Sequence, residues 1–260
     1  VHLFGQEQMK QKDKTLPLYR GQGYYPTFIG LETFDDLDNV RKFDKAHEVE
    51  DYTNAFKLLL PLAEQGYKHA QNNIASFYEY GLGTKKDMKL AFKWYLRSAE
   101  RGASYGQNNV GVCYKFGKGV KKNLTTAFEW FKKAAGGSNL ALYNLGLCFR
   151  DGEGVEQDYK AASDWFRKAS EKNIAQAQYK LGDLYFKGRG VPKDYEYSYI
   201  WFSVGASHKH DMSVKAIKKA KEKLSNEELK EADKVIATYI KKYGPQEDID
   251  PTKPIRIDNE

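Results

Sequence analysis

Four times the chain sets a Gly-x-Gly at nearly the same interval: Gly81-Leu82-Gly83, Gly117-Lys118-Gly119, Gly152-Glu153-Gly154 and Gly188-Arg189-Gly190. The steps are 36, 35 and 36 residues, and Trp94, Trp130, Trp165 and Trp201 each fall 13 residues after the first glycine of their loop. A period in this range marks one supersecondary unit that has been copied and stacked. Such units bury their apolar faces against their neighbours, not in a single central core.

One repeat resolves into two helices. Asp87, Asn123, Asp158 and Asp194 share the phase of the glycines and precede the first helix. Asp and Asn side chains accept a backbone N–H left unpaired at a helix start, so these residues read as N-caps. From Met88 to about Glu100, an advance of about 100° per residue puts Ala91, Trp94, Tyr95 and Ser98 on one face. Ala127, Trp130, Phe131 and Ala134 copy that face, as do Ala162, Trp165, Phe166 and Ala169. The small residues admit a neighbouring helix and the aromatic pair fills the space between. A short turn leads to a second helix carrying Val110-Gly111, Leu145-Gly146 or Leu181-Gly182, and Gly-x-Gly ends it with left-handed backbone angles. A partial copy covers about Tyr52 to Tyr80. The last copy loses its Gly-x-Gly and is followed by Ser225-Asn226-Glu227-Glu228, a capping-box pattern that announces a closing helix.

These residues resemble the Sel-one-like repeat, a relative of the tetratricopeptide repeat. Its pattern is Asp-Tyr-x-x-Ala-x-x-Trp-Tyr/Phe-x-x-Ala-Ala followed by Ala-x-x-x-Leu-Gly-x-x-Tyr-x-x-Gly-x-Gly-Val. Asp158-Tyr159 through Ala169 and Ala177 through Val191 follow it, and the likeness extends over about residues 52–224. The resemblance implies an all-α fold: an α/α superhelical solenoid of about five helix-turn-helix repeats with a C-terminal capping helix. It also implies an interaction scaffold. The domain boundaries read as a non-repeat segment 1–50, repeats 51–224, a capping helix 225–243 and an extended tail 244–260.

Composition narrows the remaining classes. Hydrophobic residues at 41% and charged residues at 30% fit a folded, solvated chain. No apolar run approaches the roughly 20 residues of a spanning helix, so membrane insertion is not expected. The net charge of +7 favours an acidic partner without naming one. The chain starts at Val1, not Met, and the expectation drawn from this is an exported, periplasmic protein with its leader absent. Cys113 and Cys148 occupy equivalent positions filled elsewhere by Phe77 and Leu184, which marks an apolar core site. Equivalent points on stacked helices lie roughly 9–10 Å apart, and a disulfide needs Cα atoms within about 7 Å. Free, buried thiols are therefore expected.

Several candidate sites reduce to structure. Four Gly-x-Gly loops in phase, each following a helix, read as helix stops and not as phosphate cradles. The Lys85-Lys86 and Lys121-Lys122 pairs beside them read as solvated charge. His208, His210 and Asp211 sit at an expected inter-helix turn and lack the i, i+4 spacing of a helical metal pair. The lysines of 215–223 alternate with Ala216, Ile217 and Ala220 as on an amphipathic packing helix, with no interleaved aromatics for base stacking. No metal, cofactor or nucleic acid is therefore called, and no catalytic constellation. The chain reads as a monomer or one member of a hetero-complex.

The flank of the first helices is more informative. Residues one and five after the helix-face alanine read Phe56 and Leu60, Phe92 and Leu96, Phe128 and Lys132, Ser163 and Arg167, then Tyr199 and Ser203. By analogy with tetratricopeptide arrays, first helices line the concave side. Phe56, Leu60, Phe92, Leu96, Phe128, Lys132, Arg167 and Tyr199 are accordingly the candidate partner-binding residues, apolar early in the chain and polar later. Residues 1–50, with Tyr19, Tyr24, Tyr25, Phe28, Ile29 and Phe34, either cap the first repeat or meet a partner. The function expected is a non-catalytic adaptor binding another protein through the concave face and the N-terminal segment. Two alternatives stay open, an immunity protein neutralising a secreted bacterial toxin and a cell-wall or antibiotic hydrolase.

Overall fold

The computed structural model describes Asn39, residues 42–47 and residues 49–245. The expectations for Tyr19 through Phe34, and for the tail beyond Pro245, lie outside the described residues. The described chain is all-α, as the repeat requires. It divides into two compact units, Val1–Ser138 and Asn139–Glu260.

The first unit contains α1 (Tyr52–Gln65), α2 (Lys68–Tyr80), α3 (Met88–Glu100), α4 (Ser104–Phe116) and α5 (Leu124–Ala134). The second contains α6 (Asn139–Asp151), α7 (Tyr159–Ser170), α8 (Ala175–Lys187), α9 (Tyr195–Ser207), α10 (Asp211–Lys221) and α11 (Asn226–Tyr243). The predicted caps are in place. Asp87 Oδ1 accepts from the backbone N–H of Lys89 and of Leu90, each at 2.9 Å. Asn123, Asp158 and Asp194 cap α5, α7 and α9 in the same way. Ser225 and Glu228 close a reciprocal capping box on α11.

Three of the first helices, α1, α3 and α7, are also tied at their far end. Gln71, Gln107 and Gln178 reach back from the following helix and donate to the carbonyls of Ala63, Ala99 and Ser170 at 3.1, 3.3 and 3.2 Å. Between repeats, the small residue of a second helix receives the second aromatic of the next first helix. A Cβ on Gly111 would lie 2.6 Å from the Phe131 ring, and one on Gly182 would lie 2.7 Å from that of Phe202. Phe131 is fully buried as a result, and Phe202 nearly so. This packing explains why Gly recurs inside a helix, where it lowers stability by roughly 0.5–1 kcal/mol relative to Ala.

The Gly-x-Gly loops do more than stop a helix. All eight of their glycines have φ between 61° and 78°. The second glycine also abuts a backbone: a Cβ on Gly83, Gly119 or Gly190 would overlap the carbonyl of Tyr52, Met88 or Tyr159. These are the first residues of α1, α3 and α7, so the loop returns to the start of its own hairpin.

Phe43, which the sequence pattern did not single out, belongs to the first core. It is 5% exposed within the helical stretch 42–47 and lies 6.4 Å from Phe77, ring centre to ring centre. Cys113 and Cys148 are buried thiols not joined in a disulfide. Burial pushes the Cys113 thiol up to about 12, with Glu79 adding to the shift and Lys118 opposing it, so it acts as a small hydrophobe.

Candidate functional site

The first-helix flank is built from residue pairs spanning one hairpin. In the first unit, Phe56 of α1 meets Tyr78 of α2 edge-on at 5.5 Å, and Phe92 of α3 meets Tyr114 of α4 edge-on at the same distance. Edge-to-face geometry at this spacing is favourable for aromatic rings and holds each Phe in one orientation. Leu60 and Leu96 lie beside these rings, and all four apolar residues are half-buried against the core. Phe128 differs. It is only 8% exposed, and the Lys132 ammonium lies 5.4 Å from its ring centre. Lys132 itself is exposed and pairs with Glu129 at 3.3 Å.

In the second unit the flank is polar at α7. The Arg167 guanidinium, at the position of Leu60 and Leu96, donates to the hydroxyl of Tyr185, the counterpart of Tyr78 and Tyr114, at 2.7 Å, and Ser163 replaces the Phe. The flank at α9 is covered. Tyr199 is 4% exposed and donates its hydroxyl proton to Asp233 Oδ1 of α11 at 2.8 Å. Tyr239 and Tyr243, on the same helix, lie 5.4 and 5.9 Å from the Trp201 ring. The end of α11 is anchored too, because Gln178 Nε2 and His208 Nε2 donate to the Tyr243 carbonyl at 2.8 and 3.0 Å. An amphipathic helix thus lies across α9 and shields Tyr199. Of the candidate residues, Phe56, Leu60, Phe92, Leu96, Lys132 and Arg167 stay accessible, whereas Phe128 and Tyr199 do not.

The tryptophans carry a second pattern that the helix wheel missed. Arg97, Lys133 and Lys168, three residues after their tryptophans, sit 4.6, 4.4 and 4.3 Å from the rings of Trp94, Trp130 and Trp165. In the last repeat the corresponding residue is Val204, and α11 covers the ring instead. The signal was legible as Trp-x-x-Lys/Arg three times and Trp-x-x-Val once.

The histidine pair has structural work. His210 is the N-cap of α10, its Nδ1 accepting the Ser213 N–H at 3.2 Å. Burial pushes the His210 ring below its ordinary value, with Lys180 and His208 adding to the shift and Asp211 opposing it. No helix among the described residues is long and apolar enough to cross a membrane.

The sequence profile of the Sel1 repeat matches five times, over residues 48–67, 68–102, 104–139, 139–174 and 175–210. The chain belongs to the Sel1 repeat family. Proteins of this family are generally interaction scaffolds and not catalysts. The profile is phased so that one unit pairs a second helix with the next first helix, the same pairing that seats Phe131 on Gly111 and Phe202 on Gly182.

Solved structures agree with the fold. A Sel1 repeat protein from Oxalobacter formigenes is 31% identical with a TM-score of 0.60, over 67% of this chain and 72% of its own. A protective antigen of uropathogenic Escherichia coli strains, described as displaying an SLR fold, is 30% identical with a TM-score of 0.54, over 81% of this chain. The Sel1 repeat chain spans 54% of that antigen's length. An immunity protein from Pseudomonas aeruginosa is 18% identical with a TM-score of 0.47, over 78% of this chain and 80% of its own, a likeness that carries no functional argument. A search of curated proteins gives no match.

Proposed function

We propose that this Sel1 repeat protein is a non-catalytic adaptor whose first-helix face in the first unit takes up an amphipathic helix of a partner protein. The supporting observation is the chain's own α11. Its apolar side rests on α9, and its Asp233 meets Tyr199, which occupies the same repeat position as Phe56 and Phe92. The covering of α9 supports the reading by example: it brings aromatic rings over Trp201 and one carboxylate to the flank residue. In the first unit Phe56, Leu60, Phe92 and Leu96 offer the apolar contact and Lys132 a cation for an acidic rim. Rings fixed edge-on by Tyr78 and Tyr114 lose little freedom on binding, which favours affinity. In the second unit Arg167 marks a polar end of the same kind of face.

Affinity capture from the native organism tests this reading. Leu96→Glu combined with Phe92→Ser should abolish recovery of the co-eluting protein, while Lys219→Glu on α10 should leave it unchanged. Melting curves establish that each variant is folded. Undiminished capture by the folded double variant overturns the proposal.

A further inference from the structure

The two Gly-x-Gly loops of the first unit carry residues that the corresponding loops of the second unit lack. Tyr80 and Phe116 stand immediately before the first glycine of each loop and are 38% and 63% exposed. Lys85-Lys86 and Lys121-Lys122 follow in the same loops and are exposed as well. None of these four lysines is ion-paired among the described residues. In the second unit the corresponding positions hold Asp151 with Glu156-Gln157, and Lys187 with Pro192-Lys193. Those loops keep the left-handed glycines and the Asp cap without an aromatic or a lysine pair. Ring and dibasic pair thus occur together twice and are lost together twice, on one backbone design.

Geometry brings them to one place. The Asp87 and Asn123 N–H groups donate to the carbonyls of Tyr78 and Tyr114, each at 2.9 Å, which folds every loop back on the helix end that carries its ring. Lys86 and Lys122 then pack over Gly81 and Gly117. The loops are also fixed to each other. Lys118 Nζ, in the second loop, pairs at 2.8 Å with Glu79 Oε1, the residue before Tyr80, while Glu79 Oε2 accepts from the Tyr95 hydroxyl at 2.8 Å. The Glu79 side chain is only 12% exposed, while that of Lys118 is 35% exposed, so the staple is shielded from solvent on its carboxylate side.

We infer that this loop edge is a docking strip for an extended acidic peptide, with carboxylates meeting the lysine pairs and apolar side chains resting on Phe116 and Tyr80. The strip is separate from the first-helix face and does not depend on the function proposed for that face. Neighbouring loops lie about 10 Å apart, one helix-packing distance. A polyproline II chain covers that in about three residues at about 3.1 Å each and, with three residues per turn, returns every third side chain to the same face. The matching ligand therefore repeats its acidic residues at every third position. A fluid lipid surface imposes no pitch, so a half-buried staple that sets one points to a polymer of fixed spacing.

Fluorescence anisotropy on the full chain tests this with a labelled peptide holding Glu at every third position and Leu between. Saturable binding is expected at low salt, falling steeply as ions screen the lysines. Lys85→Glu with Lys121→Glu touches no packed side chain and should weaken binding about tenfold or more. Phe116→Ser should weaken it without altering the salt slope. Lys219→Glu with Lys223→Glu, an equal charge reversal in the second unit, should leave it intact. An equal loss in that control, no binding by the wild-type chain, or retention of anionic vesicles or an oligonucleotide but not the peptide would overturn the assignment.

Discussion

Trp165 and Trp201 occupy the same position in successive repeats and are shielded in different ways. Trp165 is half-buried under the Lys168 ammonium of its own helix, whereas Trp201 is 2% exposed beneath Tyr239 and Tyr243 of α11. An interior repeat covers its indole with a cation that remains in water. The last repeat has no following first helix and recruits a separate amphipathic one. A wet lid leaves a surface open to a partner; a helical lid removes it.

The largest effect should come from removing the helical lid. A chain ending before Ser225 loses the partners of Tyr199, Trp201, Gln178 and His208 together. It should lose more than about 3 kcal/mol, the scale of large aromatic cavities, with red-shifted tryptophan emission in a chemical melt. An unchanged melt would show that α11 covers nothing that matters. A smaller effect, on the same end of the chain, is acid lability. In the folded chain His210 titrates below 6.5 because burial penalises its charged form. As pH falls through 6.5, the unfolded chain takes up the proton first. Stability held above that value is therefore lost between it and the lower folded pKa. His210→Asn keeps a capping acceptor and should flatten this part of the melting-temperature profile, while His210→Ala should cost about 1 kcal/mol at neutral pH. The smallest effect is expected at the wet lid. Lys168→Met should cost roughly 0.5–1 kcal/mol in urea melts, and Val204→Lys should recover nothing, since the Trp201 ring is already covered.

Much of this was legible before any coordinates. Glycine phase, Asp and Asn caps and the Ser225 capping box depend on local backbone chemistry, and their partners lie within a few residues. The face carrying Ala91, Trp94 and Tyr95 was equally readable, since a helix wheel needs only the helix. What escaped the sequence depends on neighbours distant in the chain. Tyr199 lies on the flank of its wheel yet is buried, because α11 folds back over it. Phe128 holds the repeat position of Phe56 and Phe92 yet is only 8% exposed, a difference no periodicity records. His210 looked like half of a cluster and is a cap, which only the position of the Ser213 N–H reveals. Phe43 sits in a stretch without repeat phase, so nothing in the pattern marked it as core.

The contact of Gly83 with Tyr52, repeated by Gly119 with Met88 and Gly190 with Tyr159, gives three of the hairpins their own clasp. A module that fastens to itself can be duplicated or dropped by recombination in one piece, because its closure asks nothing of the module beside it. Length changes are then best absorbed at the far turn, between the two helices of a hairpin, where Trp130 to Gly146 spans 16 residues and Trp94 to Gly111 spans 17.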